Sequence, residues 1–252
     1  MMKFSWKSIA LALSLVLAVS MVALGTLAFL TDSETVTNTF TVGQVDIGLD
    51  ESEVDENGDP IYPGGSNDDG TPVVPGEEPD RVETNDYHMI PGEEYVKDPM
   101  VTVMAGSEES YVRMIVVLNK YQELLEIFGN SFDPAEHVTG YDSEIWPCVS
   151  TTPDTTANTL TMEFRYHTTV SGTDEDLALE PLFETFTVPN WFDNDDLALL
   201  GNAVDADGNE IPDSAFVITV HGHAIQTATF QDSDNGTAED AAWAAFDAQV
   251  GE

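Results

Sequence analysis

The run Tyr111-Val112-Arg113-Met114-Ile115-Val116-Val117-Leu118 decides how this chain is read. It is long and nearly all apolar, so it reads as a central strand buried on both faces. Further on, Leu160-Thr161-Met162-Glu163-Phe164-Arg165-Tyr166 alternates apolar and polar residues. A period of two puts Leu160, Met162, Phe164 and Tyr166 on one inward face. Other strand signals lie on either side, at 45–49, 86–89, 100–104, 145–149, 182–188 and 215–226. The period changes only briefly. Tyr121, Leu124, Leu125 and Phe128 recur at three and four, which predicts a short helix over 119–128 stopped by Gly129. A second helical turn, capped by an Asp, fits 193–200, and Thr237 followed by Glu239 and Asp240 reads as a helix start. That last helix presents Trp243, Phe246 and Val250 as one stripe. Many strands and few helices predict an all-β fold, an antiparallel β-sandwich with short appended helices, one of them C-terminal.

Between the first strands the pattern vanishes. Residues 50–86 hold 13 acidic side chains, one base (Arg81), and the turn formers Asn57-Gly58, Pro63-Gly64-Gly65 and Pro75-Gly76. Such a stretch buries little apolar surface to offset its ordering entropy, so it reads as a loop insertion, mobile or an extended hairpin.

The N-terminus carries a second message. Lys3 and Lys7 precede an apolar run over 9–24, with Thr26 and Ala28 at the −3 and −1 positions of a cut. A positive, then apolar, then small-residue pattern is a secretory signal, giving residues 1–28 as signal peptide and 29–252 as one sandwich domain. The alternative is an uncleaved anchor, because 9–30 approaches the about 20 apolar residues that span a bilayer. Cleavage between Ala28 and Phe29 leaves a new end that is itself strand-patterned, with Val36, Asn38, Phe40 and Val42 on one face.

The string Gly-Thr-Leu-Ala-Phe-Leu-Thr-Asp-Ser-Glu-Thr-Val-Thr-Asn-Thr-Phe-Thr-Val-Gly-Gln-Val-Asp-Ile over 25–47 resembles the start of the TasA/camelysin family of exported Gram-positive proteins. Ile90-Pro91-Gly92-Glu93-Glu94-Tyr95-Val96-Lys97-Asp98-Pro99 is similar to that family's Pro-Gly turn before a Lys-Asp strand. The run Val217-Ile218-Thr219-Val220-His221-Gly222-His223-Ala224-Ile225-Gln226, with Ala242-Trp243-Ala244-Ala245-Phe246, is similar to its clostridial-type members. The resemblance implies a jelly-roll or Ig-like variant of the sandwich, a leader cut by a dedicated signal peptidase, and, for camelysin-like members, metalloprotease activity.

Charge narrows the partners. The whole chain carries a formal net charge of −40, and after the leader only Arg81, Lys97, Arg113, Lys120 and Arg165 stand against 47 acidic residues. Nucleic acid and anionic lipid are poor partners for such a surface, leaving the membrane as a partner only through an uncleaved leader. The single Cys148 excludes an internal disulfide, and its apolar neighbours predict a buried thiol.

Catalytic patterns are sparse. A zinc protease helix needs two His at i and i+4 with a Glu between them, and no His-Glu-x-x-His occurs. His221 and His223 share one face of a strand and would need a third ligand from a neighbour. No Gly-x-Ser-x-Gly elbow is present. Asp205, Asp207, Asn209 and Asp213 place hard oxygen donors at alternating positions, as calcium loops do, and Asp55-Glu56-Asn57-Gly58-Asp59 is a looser copy. Asp-Gly and Asn-Gly mark hairpin turns equally well. No cofactor is required on this reading beyond a possible calcium ion.

The sequence therefore reads as a secreted structural subunit of biofilm-matrix or cell-surface fibres, forming homo-oligomeric filaments. Its N-terminal segment acts as a donor strand for the next copy, with Val36, Phe40 and Val42 filling pockets. Two rivals stand beside it: a secreted camelysin-like metal-dependent protease, and a monomeric cell-surface adhesion module. N-terminal sequencing of protein from the culture medium should give Phe29, within about two residues of the small-residue cut. Recovery of only the intact Met1 form, in membranes, would establish the anchor instead.

Overall fold

In the computed structural model, residues 44–55, 57–67, 70–129, 132–202, 211, 214–233 and 236–250 are described. Eleven strands among them form three antiparallel sheets, with three α-helices and a short 3-10 turn at Pro134–His137. The strands are β1 (Ile47–Ser52), β2 (Arg81–Val82), β3 (Glu94–Val96), β4 (Met100–Val103), β5 (Ser110–Asn119), β6 (Val138–Thr139), β7 (Cys148–Asp154), β8 (Thr159–Arg165), β9 (Leu177–Ala178), β10 (Thr185–Thr187) and β11 (Ile218–Gln226). The helices are α1 (Tyr121–Phe128), α2 (Asn194–Leu200) and α3 (Ala238–Val250).

The sheets run β2-β1-β4-β9, β3-β10-β6 and β11-β5-β8-β7. The first two continue one another. Leu179 N donates to Val101 O, Leu182 N to Pro99 O and Lys97 N to Glu184 O, so β3 and β4 run beside β9 and β10. This composite layer packs on the third sheet, and the two share one core, with Val101 and Val103 from one side meeting Val112, Met114 and Val116 from the other. The expected antiparallel β-sandwich with appended helices is what forms.

β5 is central, as its apolar run predicts, but its two faces differ. Val112, Met114, Val116 and Leu118 face the core, and Leu160, Met162 and Phe164 of β8 lie beside them. On the opposite face Ile115 and Val117 are only half-buried, while Arg113 is 2% exposed. What buries Arg113 is α3. The guanidinium lies 4.5 Å from the Trp243 ring and 5.2 Å from Phe246. It also pairs with Asp247 at 2.5 Å. Arg165 on β8 adds a pair to Asp240 at 2.7 Å. That bond, with hydrogen bonds from Thr237, holds the Asp240 carboxyl below its ordinary range. Thr237 Oγ1 accepts from Asp240 N while Asp240 Oδ2 accepts from Thr237 N, a reciprocal cap that starts the helix. Trp243 is buried as its stripe predicts, but Val250 at the last turn is exposed.

Both other helices end and begin as read. α1 stops at Gly129, whose φ of 75° suits glycine. Asp193 caps α2 through a full capping box. Lys120, in a left-handed conformation before α1, reaches across to the last turn of α2, where Nζ donates to Leu199 O at 2.7 Å and Gly201 O at 2.6 Å. A cation there satisfies carbonyls left without helical partners and sits at the negative end of the helix dipole.

Several expectations are corrected. Residues 86–89 form no strand and join no ladder. Asp142 O accepts from Ile145 N and Trp146 N, closing a turn that drops Trp146 into the core, so β7 starts only at Cys148. Every residue of β7, an edge strand, is exposed, and Cys148 is therefore exposed rather than buried. Tyr166 lies just past β8 and is half-buried, its hydroxyl donating to Glu180. The strand expected over 182–188 is ordered as β10 alone. The 50–86 stretch turns back twice, through bridges Val54↔Pro60 and Ser66↔Pro72, and returns to β1 as β2.

Trp243→Ala should cost about 3–5 kcal/mol in denaturant melts, since it removes a buried ring and uncovers Arg113. Val250→Ala on the same helix should stay within about 0.5 kcal/mol. Equal effects at the two positions would show that α3 is not packed through Trp243.

Candidate assembly surface

β1 is the first strand of the described fold, and it is fixed at both ends. Just before it, Gln44 O accepts from Glu108 N, and Asp46 N donates to Ser107 Oγ at 3.1 Å. Its own residues pair with β4 from Ile47↔Val103 to Asp50↔Met100. At the far end, polar groups take over from the ladder. Glu51 and Lys97 are 6% and 7% exposed and meet at 2.6 Å. Two buried charges are tolerated only when their remaining hydrogen-bonding capacity is filled. Asn85 does this, with Nδ2 donating to Glu51 Oε1 and to Ser52 O while Oδ1 accepts from Val54 N.

A second cluster lies alongside. Asp98 accepts from Ser52 N at 2.6 Å and from Ser52 Oγ at 2.8 Å. Arg81 bridges Asp50 at 2.7 Å and Asp98 at 2.9 Å, and also donates to the carbonyls of both. The 90–99 motif thus has a structural meaning. Gly92 turns at φ 90°, and Tyr95 is buried against Phe186 at 5.1 Å with its hydroxyl bonded to His88 O and Ile90 N. Lys97 and Asp98 then hold β1. Tyr87 completes the wall, its hydroxyl donating to Val96 O, and burial pushes its phenol above the ordinary range. Sequence reasoning missed Glu51, Ser52, Arg81 and Asn85. The available signal was the scarcity of bases, since a rare Lys or Arg in an acidic chain marks a place where charge is held.

Two adjoining hollows of about 200 and 450 Å³ run from this cluster toward the start of β11. They share Thr84, Asn85, Lys97, Val217 and Ile218. The lining is mixed, with polar groups from the 83–87 segment beside apolar ones from 215–218.

Of the residues singled out from sequence, Ala28 and Phe29 at the cut, the donor residues Val36, Phe40 and Val42, and the calcium candidates Asp205, Asp207, Asn209 and Asp213 all lie outside the described residues. In the looser acidic turn, Asp55 Oδ1 accepts from Asn57 N and Asp59 N, which organises a turn. His221 and His223 do share a face. His221 is exposed, while His223 packs on Phe246 at 4.8 Å and its Nδ1 accepts from Arg113 Nε at 3.2 Å. His137 sits by Phe128 and Phe132, where burial lowers its pKa. Among the described residues, no three His, Cys, Asp or Glu side chains group so as to hold a metal ion, so these residues do not compose a zinc site. Nor is any described helix long and apolar enough to cross a membrane.

No curated protein and no solved structure matches the chain. A family model described as camelysin metallo-endopeptidase matches residues 6–66, a span that runs through β1 and into the acidic turns behind it. The match covers about a quarter of the chain, so it is the leading part, through β1, that is similar to the camelysin family.

Proposed function

We propose that this protein is an exported subunit of extracellular matrix or cell-surface fibres, assembled by donating its N-terminal segment to the sheet of the next copy. One observation carries the reading. β1 is clamped at both ends by Ser107, Lys97, Arg81 and Asp98, and the strand-patterned residues 29–42 lie immediately before it. A rigid root gives such a segment a fixed point of departure, which lowers the ordering cost of joining a neighbour. Head-to-tail donation does not close on itself and therefore builds filaments. The family description names a metallo-endopeptidase, and a casein-type assay with metal analysis of the purified protein tests that second reading.

Electron microscopy of the chain beginning at Phe29 should show filaments, and deletion of residues 29–38 should abolish them while leaving a cooperative melt. Filaments that survive the deletion would end the donor-strand reading. With five bases against 47 acids, neighbouring copies repel. Light scattering should therefore rise with salt as the Debye length falls to about 10 Å near 0.1 M. It should rise too with calcium, or as pH falls into the carboxylate range. No response to any of the three would make the charge irrelevant to assembly.

A further inference from the structure

The third sheet has two outer edges, and they are built differently. β7 has a register shift between Cys148 and Ser150, and carries Pro153. Bulges and prolines are the usual means of making an edge unfit for pairing. β11 has neither. Its nine residues pair with β5 in unbroken register from Ile218↔Leu118 to Gln226↔Ser110.

The hydrogen-bond phase of that ladder follows from its ends. Asn119 N donates to Val217 O, and Thr227 N donates to Glu109 O. Odd-numbered residues of β11 therefore exchange bonds with β5, since hydrogen-bonded pairs alternate along an antiparallel ladder. The backbone N–H and C=O groups of Ile218, Val220, Gly222, Ala224 and Gln226 point away from β5. Among the described residues, no strand pairs with them.

The side chains along this open seam are incompletely covered. Ile218 and Val220 of β11, and Ile47 and Leu49 of β1, pack on the core yet remain half-buried. Gly222 keeps the seam narrow, because a Cβ there would stand 3.5 Å from Leu49 and 3.3 Å from Val101. The hollows lined by Thr84, Asn85, Val217 and Ile218 open at the same end of β11.

We propose that the outer edge of β11 is the acceptor for residues 29–42 of a second copy. This rests on the donor-strand reading and locates its receiving side. The lengths agree: 14 residues reach up to about 45–50 Å when extended, against about 30 Å for the nine of β11. The faces agree as well. Val36, Phe40 and Val42 extend the apolar inner face beside Ile218 and Val220, and Thr35, Thr37, Thr39 and Thr41 fall on the outer face with exposed Val217, Thr219 and His221. The bond formed is backbone to backbone, so the anionic side chains of both copies need not meet.

Two chains beginning at Phe29 test this. Phe40→Asp impairs the donor and keeps the acceptor, while Val220→Pro keeps the donor and removes an outward N–H at the centre of β11. Neither should form filaments alone. Mixed in equal amounts, they should give a capped one-to-one heterodimer by size exclusion with light scattering. Filaments from folded Val220→Pro, or no heterodimer, would overturn the acceptor site. Filaments from Phe40→Asp would instead overturn the donor reading beneath it. Should Val220→Pro fail to fold, the Phe40→Asp chain is incubated with a synthetic peptide of residues 29–42 and followed by hydrogen exchange. The amides of Ile218, Val220 and Gly222 should then slow by at least roughly tenfold, as expected for newly bonded edge groups. Unchanged exchange there, or slowing confined to β7, would place the acceptor elsewhere or nowhere.

Discussion

After Ala28 the chain has 47 carboxylates and five cations, and the fold depends on where those five sit. Arg81 and Lys97 hold β1 to its neighbours. Arg113 and Arg165 hold α3 to the outer face of the third sheet. Lys120 closes the end of α2. Each cation therefore joins segments that are distant in sequence, at a point where the apolar core alone does not reach. In a chain with balanced charges, surface ion pairs contribute little. Here the pairs are partly or wholly buried, and the field of surrounding carboxylates strengthens each cation's hold. Like-charge repulsion over the rest of the surface works against compactness, and these five contacts are where it is locally reversed.

The same distribution constrains how copies can meet. With all five Lys and Arg side chains engaged within the fold, the surface it offers another molecule is dominated by carboxylates and neutral groups. An interface built on side-chain charge would need an external cation. One built on main-chain hydrogen bonds and a few apolar side chains does not. The proposed meeting of a leading segment with the β11 edge is of that second kind.

A long apolar run made β5 legible and a period of two made β8 legible, although the outer face of β5 is only half-buried apart from Arg113. Such patterns were less informative where a turn or an edge intervened. The apolar pair Ile145 and Trp146 mimics a strand, yet Asp142 folds it into a turn that delivers Trp146 as a plug. Cys148 has apolar neighbours in sequence but lies on an edge strand, where neighbours do not confer burial. Arg113 stands in a nearly all-apolar strand, and its partner Asp247 is 134 residues away, beyond the reach of any local pattern. The anchoring cluster was visible only as part of a resemblance at 90–99. Its partners Glu51, Ser52 and Asn85 come from a stretch whose composition suggests disorder, and they are brought in by long-range pairing.

Digestive enzymes of the trypsin type open a chain beside lysine or arginine, and they need several residues around that side chain to be pulled into an extended shape. Beyond Ala28 this protein has five such places. Lys97 and Arg113 are nearly sealed, Arg81 and Arg165 are held in paired carboxylates, and Lys120 is tied to the end of a helix. The arrangement that orders the fold thus also shields these five sites from peptidases of that type.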